Sequence, residues 1–171
     1  MTGCIVGWAH SKFGRHDDRD VESLIVEVAQ GALADAGVAG AEIDAVYLGT
    51  MNGGFVKQEF PASLVFQADP ALRFKPATRV ENACATGSAA IHMGLNTIAA
   101  GKGRLILVVG VETMTERTGP EINDLLLRAC YRKEEDRIEG GFAGIFGMIA
   151  QRYFQRYGGQ SDALARIAAK N

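Results

Sequence analysis

From Asn82 to Gly101 the chain runs twenty residues without a formally charged side chain, "NACATGSAAIHMGLNTIAAG". A helix that faces water carries charges on its outer side, so this segment is expected to be covered by other parts of the protein. Hydrocarbon is a poor candidate for the cover, because Asn82, Thr86, Ser88, His92, Asn96 and Thr97 would all have to be buried in it. A protein layer can meet those groups with hydrogen bonds. On its two sides lie "ATRVEN" (77–82) and "RLILVVGVE" (104–112), which read as strands. Strand, uncharged helix, strand is the unit of a parallel sheet with helices packed over it.

The rest of the first two thirds repeats that alternation. "CIVGWA" (4–9) is a short apolar run expected to be the first strand, buried on both faces. Asp20 is placed to cap a helix in which Val21, Leu24, Ile25, Val28, Ala32, Leu33 and Ala36 fall on one face, and Gly37 is placed to stop it. "IDAVYLGT" (43–50) reads as a second strand. "KQEFPASLVFQAD" (57–69) reads as a weaker helix with Pro61 near its start. The expected fold class is therefore α/β, a mixed and largely parallel sheet covered by helices.

Beyond Thr113 the pattern changes. "RACYRKEEDRIEGG" (128–141) is charge-rich without clear periodicity and reads as a solvated loop or exposed helix face. Phe142, Ile145, Phe146, Ile149, Tyr153 and Tyr157 then form a helical apolar stripe suited to core or interface packing. "SDALARIAAKN" begins a last helix with Ser161 as its expected cap.

Length and charge bound the function classes. With 171 residues, 47% of them hydrophobic, the chain can bury a substantial core. Eighteen basic against twenty acidic residues leave a net charge of −2, without the electrostatic footprint of a nucleic-acid binder or a polybasic membrane anchor. Cys4, Cys84 and Cys130 are odd in number and widely spaced, which suggests neither a disulfide framework nor a metal site. A reducing, cytoplasmic setting fits them, and "MTGCIVGWAHSKFG" does not read as a signal peptide.

Cys84 falls where the third strand passes into the uncharged helix, among Ala83, Ala85, Gly87, Ser88, Ala89 and Ala90. Small neighbours let a side chain project from a sharp turn and let the helix behind it approach the sheet. Unpaired N–H groups at a helix start favour a thiolate, the reactive form of cysteine, and can donate to a developing oxyanion. Residue type and position alone leave two readings open: a catalytic nucleophile, or a small buried apolar side chain. His92 lies eight residues further on, ~12 Å along a helix axis, too far to act as the direct base of Cys84; it reads as a packed, hydrogen-bonded histidine.

The segment "ENACATGSAAIHMGLNTIAAGKGRLILVVGVETMTE" resembles the nucleophile region of thiolases: an asparagine two residues before the active cysteine, a small-residue helix, a glycine, and an apolar strand ending in Gly-Val-Glu and Met. "VVGVETMT" and the closing "RYGGQSDALARIAAKN" are similar to the sterol-carrier-protein-type branch, which often has "GVEKMT" where this chain has Thr113. The resemblance implies a thiolase-like layered fold, of which this chain would be the N-terminal half, whether as a fragment, a truncated chain or one subunit of a split enzyme. Residues 1–113 would be the core of that half, and 114–171 part of the loop region for coenzyme A with returning helices.

The same resemblance implies an acyl-CoA C-acyltransferase that thiolyses 3-oxoacyl-CoA or condenses acyl-CoA through an acyl-cysteine at Cys84. Phe142 falls roughly where thiolases place an apolar residue over the acyl pocket, although the first residue of a packed helix reads the same way. Coenzyme A enters as substrate, with no permanently bound cofactor and no metal. The activating histidine and a second acid/base group would come from the other half, since no histidine follows His92, and the chain alone should turn over poorly. A homodimer with "ATRVEN" near its two-fold axis is implied. So, for some members of the branch, is an OB-fold acyl-CoA-binding partner. A non-catalytic scaffold subunit and a ketosynthase-like or hydroxymethylglutaryl-CoA synthase-like condensing enzyme are the alternatives.

Overall fold

The computed structural model of the chain describes residues 3–171, which fall into two compact units, residues 3–118 and Gly119–Asn171. The first unit is built on a parallel sheet of three strands, β1 (Ala45–Gly49), β2 (Ala77–Val80) and β3 (Ile106–Gly110), in the spatial order β2-β1-β3. Val80, Gly49 and Gly110 stand side by side at the C-terminal end of the sheet. The three chains therefore leave the sheet at the same edge, which is where loops from parallel strands converge.

Helix α1 (Val21–Ala36) starts and stops where its sequence directs. The Asp20 carboxylate accepts from the Ser23 N–H at 2.8 Å and the Ser23 hydroxyl accepts from the Asp20 N–H at 3.0 Å, a reciprocal capping box. Gly37 ends the helix in the left-handed conformation, φ +66°. Ile25, Ala29 and Leu33 of α1 join Val46 and Leu48 of β1, Leu107 and Val109 of β3, and Ala62 and Val65 of a 3-10 turn (Pro61–Gln67) in one buried cluster. The expected weak helix at Pro61 is this 3-10 turn, with the proline at its first position.

The opposite sheet face carries helix α2 (Thr86–Ala99), which links β2 to β3. Side chains alternate along each strand, so Tyr47, Gly49, Ile106 and Val108 face this side while their neighbours face α1. Gly94 brings α2 close: a Cβ there would stand 3.4 Å from both Ile106 and Val108. The Tyr47 and Thr97 hydroxyls are 2.7 Å apart, and the Asp44 carboxylate accepts the N–H groups of Arg104 (2.7 Å) and Leu105 (3.1 Å), tying the entry of β3 to that of β1.

Several expectations are corrected. Cys4–Ala9 forms no strand, and Ile5, Val6 and Trp8 are exposed. Extended backbone becomes a strand only where a neighbour completes its ladder. Here the Trp8 N–H instead donates to the Asp35 carboxylate at 2.9 Å, and Gly7 lies against the Ala36 backbone. The uncharged helix is covered on one face only: Thr86, Ala90 and Gly94 are buried, while Ile91, Met93 and Leu95 are exposed because the sheet reaches a single side of α2. His92 is likewise exposed rather than packed.

The second unit is helical: α3 (Gly119–Leu127), α4 (Arg132–Glu135), α5 (Gly141–Tyr157) and α6 (Ser161–Lys170). The charged stretch holds the short exposed helix α4, whose Arg132 pairs with Asp124 (2.9 Å) and Asp136 (2.8 Å). Exposed pairs of this kind are screened by water and contribute little. The apolar stripe of α5 is helical as expected but does not form a core: no residue of α5 is buried, and Phe146, Ile149, Tyr153 and Tyr157 are more than half exposed. Ser161 is the first residue of α6 and not its cap; Gln160 precedes it without a side-chain capping bond. Among the described residues no helix is long and apolar enough to cross a membrane.

Candidate active site

Two residues past Val80 the chain turns sharply. Ala83–Ala85 forms one 3-10 turn and α2 begins at Thr86, so Cys84 is the middle residue of the turn that joins strand to helix. The cysteine is exposed in this chain. Ala83, immediately before it, has φ +47°, a left-handed conformation that non-glycine residues adopt uncommonly. Its N–H is met by the Glu81 carboxylate at 2.7 Å.

The turn is held from inside by Thr86. Its hydroxyl accepts the Asn82 N–H at 2.8 Å and donates to the Ala83 carbonyl at 2.7 Å, so the two bonds span the backbone on which Cys84 stands. Thr86 itself is buried, with its methyl over Gly49 of β1, where a Cβ would come within 2.8 Å of that methyl. At the other end of this contact α2 has no side-chain cap, because Ala85 has no group to offer.

Around the same strand ends lies a polar cluster. Arg79 of β2 donates through Nε to the Thr50 hydroxyl at 2.6 Å, and Glu112, two residues past β3, accepts the Met51 N–H at 2.8 Å. Glu112 is half-buried. That burial pushes its carboxyl above the ordinary value of 4.5, against the opposing pull of the Met51 N–H, the Arg79 charge and the Thr113 N–H. Thr113 is buried and its hydroxyl finds no partner among the described residues; nothing in the structure explains threonine where the resembling branch often has lysine.

Phe142 lies in the second unit, while Cys84 lies in the first. Phe142 opens α5, half-buried, with its N–H donating to the Asn123 side-chain oxygen at 3.3 Å and its ring edge-on to Phe146 at 5.1 Å between centroids. This is the environment of a packed helix start. Cys4 is exposed on the unpaired first segment, and Cys130 is partly buried just after α3.

The model of the thiolase N-terminal domain family matches residues 4–171. The chain belongs to the thiolase family. Among its relatives, an acetyl-CoA acetyltransferase of Methanothermobacter thermautotrophicus is 36% identical over 98% of this chain and 43% of its own length. The acetyl-CoA acetyltransferase of Methanocaldococcus jannaschii is 38% identical over 90% of this chain and 39% of its own. Sterol carrier protein 2 of Oryctolagus cuniculus is 27% identical over 98% of this chain and 32% of its own. The thiolase-family chain thus spans less than half the length of these relatives.

Two solved structures share the fold. A 3-oxoacyl-[acyl-carrier-protein] synthase III from Aquifex aeolicus superposes with a TM-score of 0.53 at 24% identity, over 60% of this chain and 32% of that one. Acetyl-CoA acetyltransferase from Syntrophomonas wolfei gives a TM-score of 0.51 at 23% identity, over 61% and 27%. Sequence reading of this thiolase-family chain singled out Cys84 and Phe142 and missed Thr86, Gly49 and the Arg79–Glu112 cluster. A threonine two residues past a turn cysteine, able to bond back onto its own backbone, was the available signal for Thr86. The Arg79–Glu112 cluster depends on strand register, which no local pattern carries.

Proposed function

We propose that this chain carries the nucleophile of an acyl-CoA C-acyltransferase, with Cys84 as the residue that is acylated. The observation that carries the reading is the exposed Cys84 on a constrained turn at the C-terminal edge of a parallel sheet. The Cys84 sulfur attacks the carbonyl carbon of an acyl thioester, a new C–S bond forms, and coenzyme A leaves with the proton given up by the cysteine. In the condensing direction the acyl group then passes to the α-carbon of a second acyl-CoA. That carbon loses its proton to a base, and the cysteine sulfur is released as the C–C bond forms. Thiolysis is the reverse.

The uncapped N–H groups at the start of α2 suit an oxyanion on the acyl carbonyl. The groups that deprotonate Cys84 and the second substrate are assigned to the portion of the relatives' length that this chain does not span. Residues 1–113 serve as the core of the half and 114–171 as part of its coenzyme A region, with Phe142 bordering the acyl pocket. We place the assembled protein as a cytoplasmic homodimer. An OB-fold acyl-CoA-binding partner is compatible with the sterol-carrier-like relatives but is not required by the chemistry.

The test is acyl transfer. The chain alone should give negligible thiolysis of acetoacetyl-CoA, and adding the complementary thiolase half should restore it. Loss of one positioned acid/base group costs ~10²–10⁴-fold, and two are assigned elsewhere. Incubation of the reconstituted protein with acetyl-CoA should leave one acetyl group on the Cys84 peptide, and Cys84→Ser should abolish it. Acyl transfer that survives in Cys84→Ser would reject the nucleophile. Unchanged chain-length preference in Phe142→Ala would reject the pocket role of that ring.

A further inference from the structure

We infer that Thr86 is the positioning residue of the Cys84 turn; this rests on the reading of Cys84 as the nucleophile. A threonine at a helix start ordinarily serves the helix, accepting an N–H two or three residues further on. Thr86 works in the other direction. Its hydroxyl accepts from the Asn82 N–H and donates to the Ala83 carbonyl, the two backbone groups on the strand side of Cys84. Both bonds are short, 2.8 and 2.7 Å, and the side chain that makes them is 7% exposed, so water competes poorly for either.

The residue between those bonds is the one that needs them. Ala83 sits at φ +47° without the freedom of a glycine, and such a conformation persists only where its surroundings over-determine it. The Thr86 methyl supplies the outer anchor, resting on Gly49 at the end of the middle strand, where a Cβ would force it to move. One small side chain therefore links the rigid middle strand to the backbone on which the cysteine is mounted. The polar half of Thr86 holds the backbone that leads into Cys84, while the apolar half seats Thr86 against the sheet.

Two substitutions separate these halves. Thr86→Val keeps the branched shape and removes both hydrogen bonds; Thr86→Ser keeps both bonds and removes the methyl. The readout is the rate of alkylation of Cys84 by iodoacetamide divided by that of Cys4 in the same molecule, from peptide mapping after partial labelling. A change in global stability that leaves the turn intact does not move this ratio. In the parent chain Cys84 is expected to react faster than Cys4. Alkylation rate follows a cysteine's exposure and surroundings, which the turn fixes at Cys84 and not at Cys4, so we expect Thr86→Val to lower the ratio severalfold and Thr86→Ser to leave it unchanged.

Amide hydrogen exchange at Asn82 gives a second measurement independent of cysteine chemistry: protection in the parent and in Thr86→Ser, loss of it in Thr86→Val. Should Thr86→Val fail to fold, Thr86→Ala, smaller and favourable to helix, replaces it with the same expected outcomes. A parent ratio near one rejects Cys84 as an activated nucleophile, and with it the role of Thr86 in serving it. A raised parent ratio that Thr86→Val and Thr86→Ala leave unchanged rejects the Thr86 proposal alone.

Discussion

Adding one carbon at Gly49 should damage the first unit at the point where the cysteine turn meets the sheet. An ideal Cβ on Gly49 lies 2.8 Å from the Thr86 methyl, 3.5 Å from the Thr86 carbonyl oxygen and 3.7 Å from the Ala90 Cβ. Carbon atoms pack at about 3.5–4.0 Å, so roughly 1 Å of separation must be found. Thr86 is β-branched, stiff at χ1 and tied by two hydrogen bonds, so turning it aside forfeits both, at about 0.5–1.5 kcal/mol each. Lifting the first turn of α2 instead loosens Ala90 and Gly94 from the strands. Either response falls in the range of about 1–3 kcal/mol seen when a packed core receives an extra methylene. Alanine recovers about 0.5–1 kcal/mol in backbone entropy, leaving Gly49→Ala less stable by about 1–2 kcal/mol.

Urea denaturation followed by far-UV circular dichroism measures this loss. A melting temperature lower by about 2–8 °C is the thermal equivalent for a chain of this size. The decisive comparison is the same substitution in a Thr86→Ser background, where the obstructing methyl is gone and the hydroxyl remains. There Gly49→Ala should be neutral or stabilising by up to about 1 kcal/mol, which makes the coupling between the two sites about 1–3 kcal/mol. An equal cost in both backgrounds would refute the claim that the Thr86 methyl rests on Gly49.

Three further outcomes are expected. Asp20→Ala removes the carboxylate half of the α1 capping box and should cost about 1 kcal/mol by urea denaturation, with Ser23→Ala smaller or equal. The Asp44 carboxyl is held below its ordinary value of 3.8, first by the Arg104 N–H and then by the Leu105 N–H and the charges of Lys75 and Arg104. Its stabilisation is therefore complete above that ordinary value and lost as pH falls through the lowered one, so the stability gap between parent and Asp44→Asn should narrow in that acid range. Glu112 has the opposite sign. Burial raises its carboxyl above 4.5, so the folded chain binds the extra proton and stability falls as pH rises from the unfolded value through the raised one. Glu112→Gln should flatten that part of the urea-midpoint profile, modestly because the group is only half-buried.

Much of the first unit could be read before any coordinates. The limits of α1 follow from Asp20, Ser23 and Gly37, all local chemistry, and β1 and β3 lie inside the apolar runs that predict them. The failures are non-local. Cys4–Ala9 has the composition of a strand, but a strand also needs a neighbour with free ladder groups, and the sheet of the described residues offers it none that it uses. The stripe on α5 has the right period and the wrong consequence: periodicity says which residues share a face, not whether anything lies against that face.

The same division runs through the candidate site. Cys84 was legible as a candidate because a cysteine among small residues, between strand and helix, is a local pattern. What holds it was not legible, since the contact of Thr86 with Gly49 crosses thirty-seven positions and the approach of Glu112 to Met51 crosses sixty-one. Those spacings become contacts only once the register places Val80, Gly49 and Gly110 in one row. The absence of charge in α2 is the one sequence feature that spans both levels. It marks the residues that pack on the sheet, Thr86, Ala90 and Gly94, but it extends equally to Ile91, Met93 and Leu95 on the exposed face. A helix that needed only the sheet as cover could carry lysines and glutamates on that outer face at no cost. Its lack of them is a constraint on composition that the contacts of the first unit do not account for.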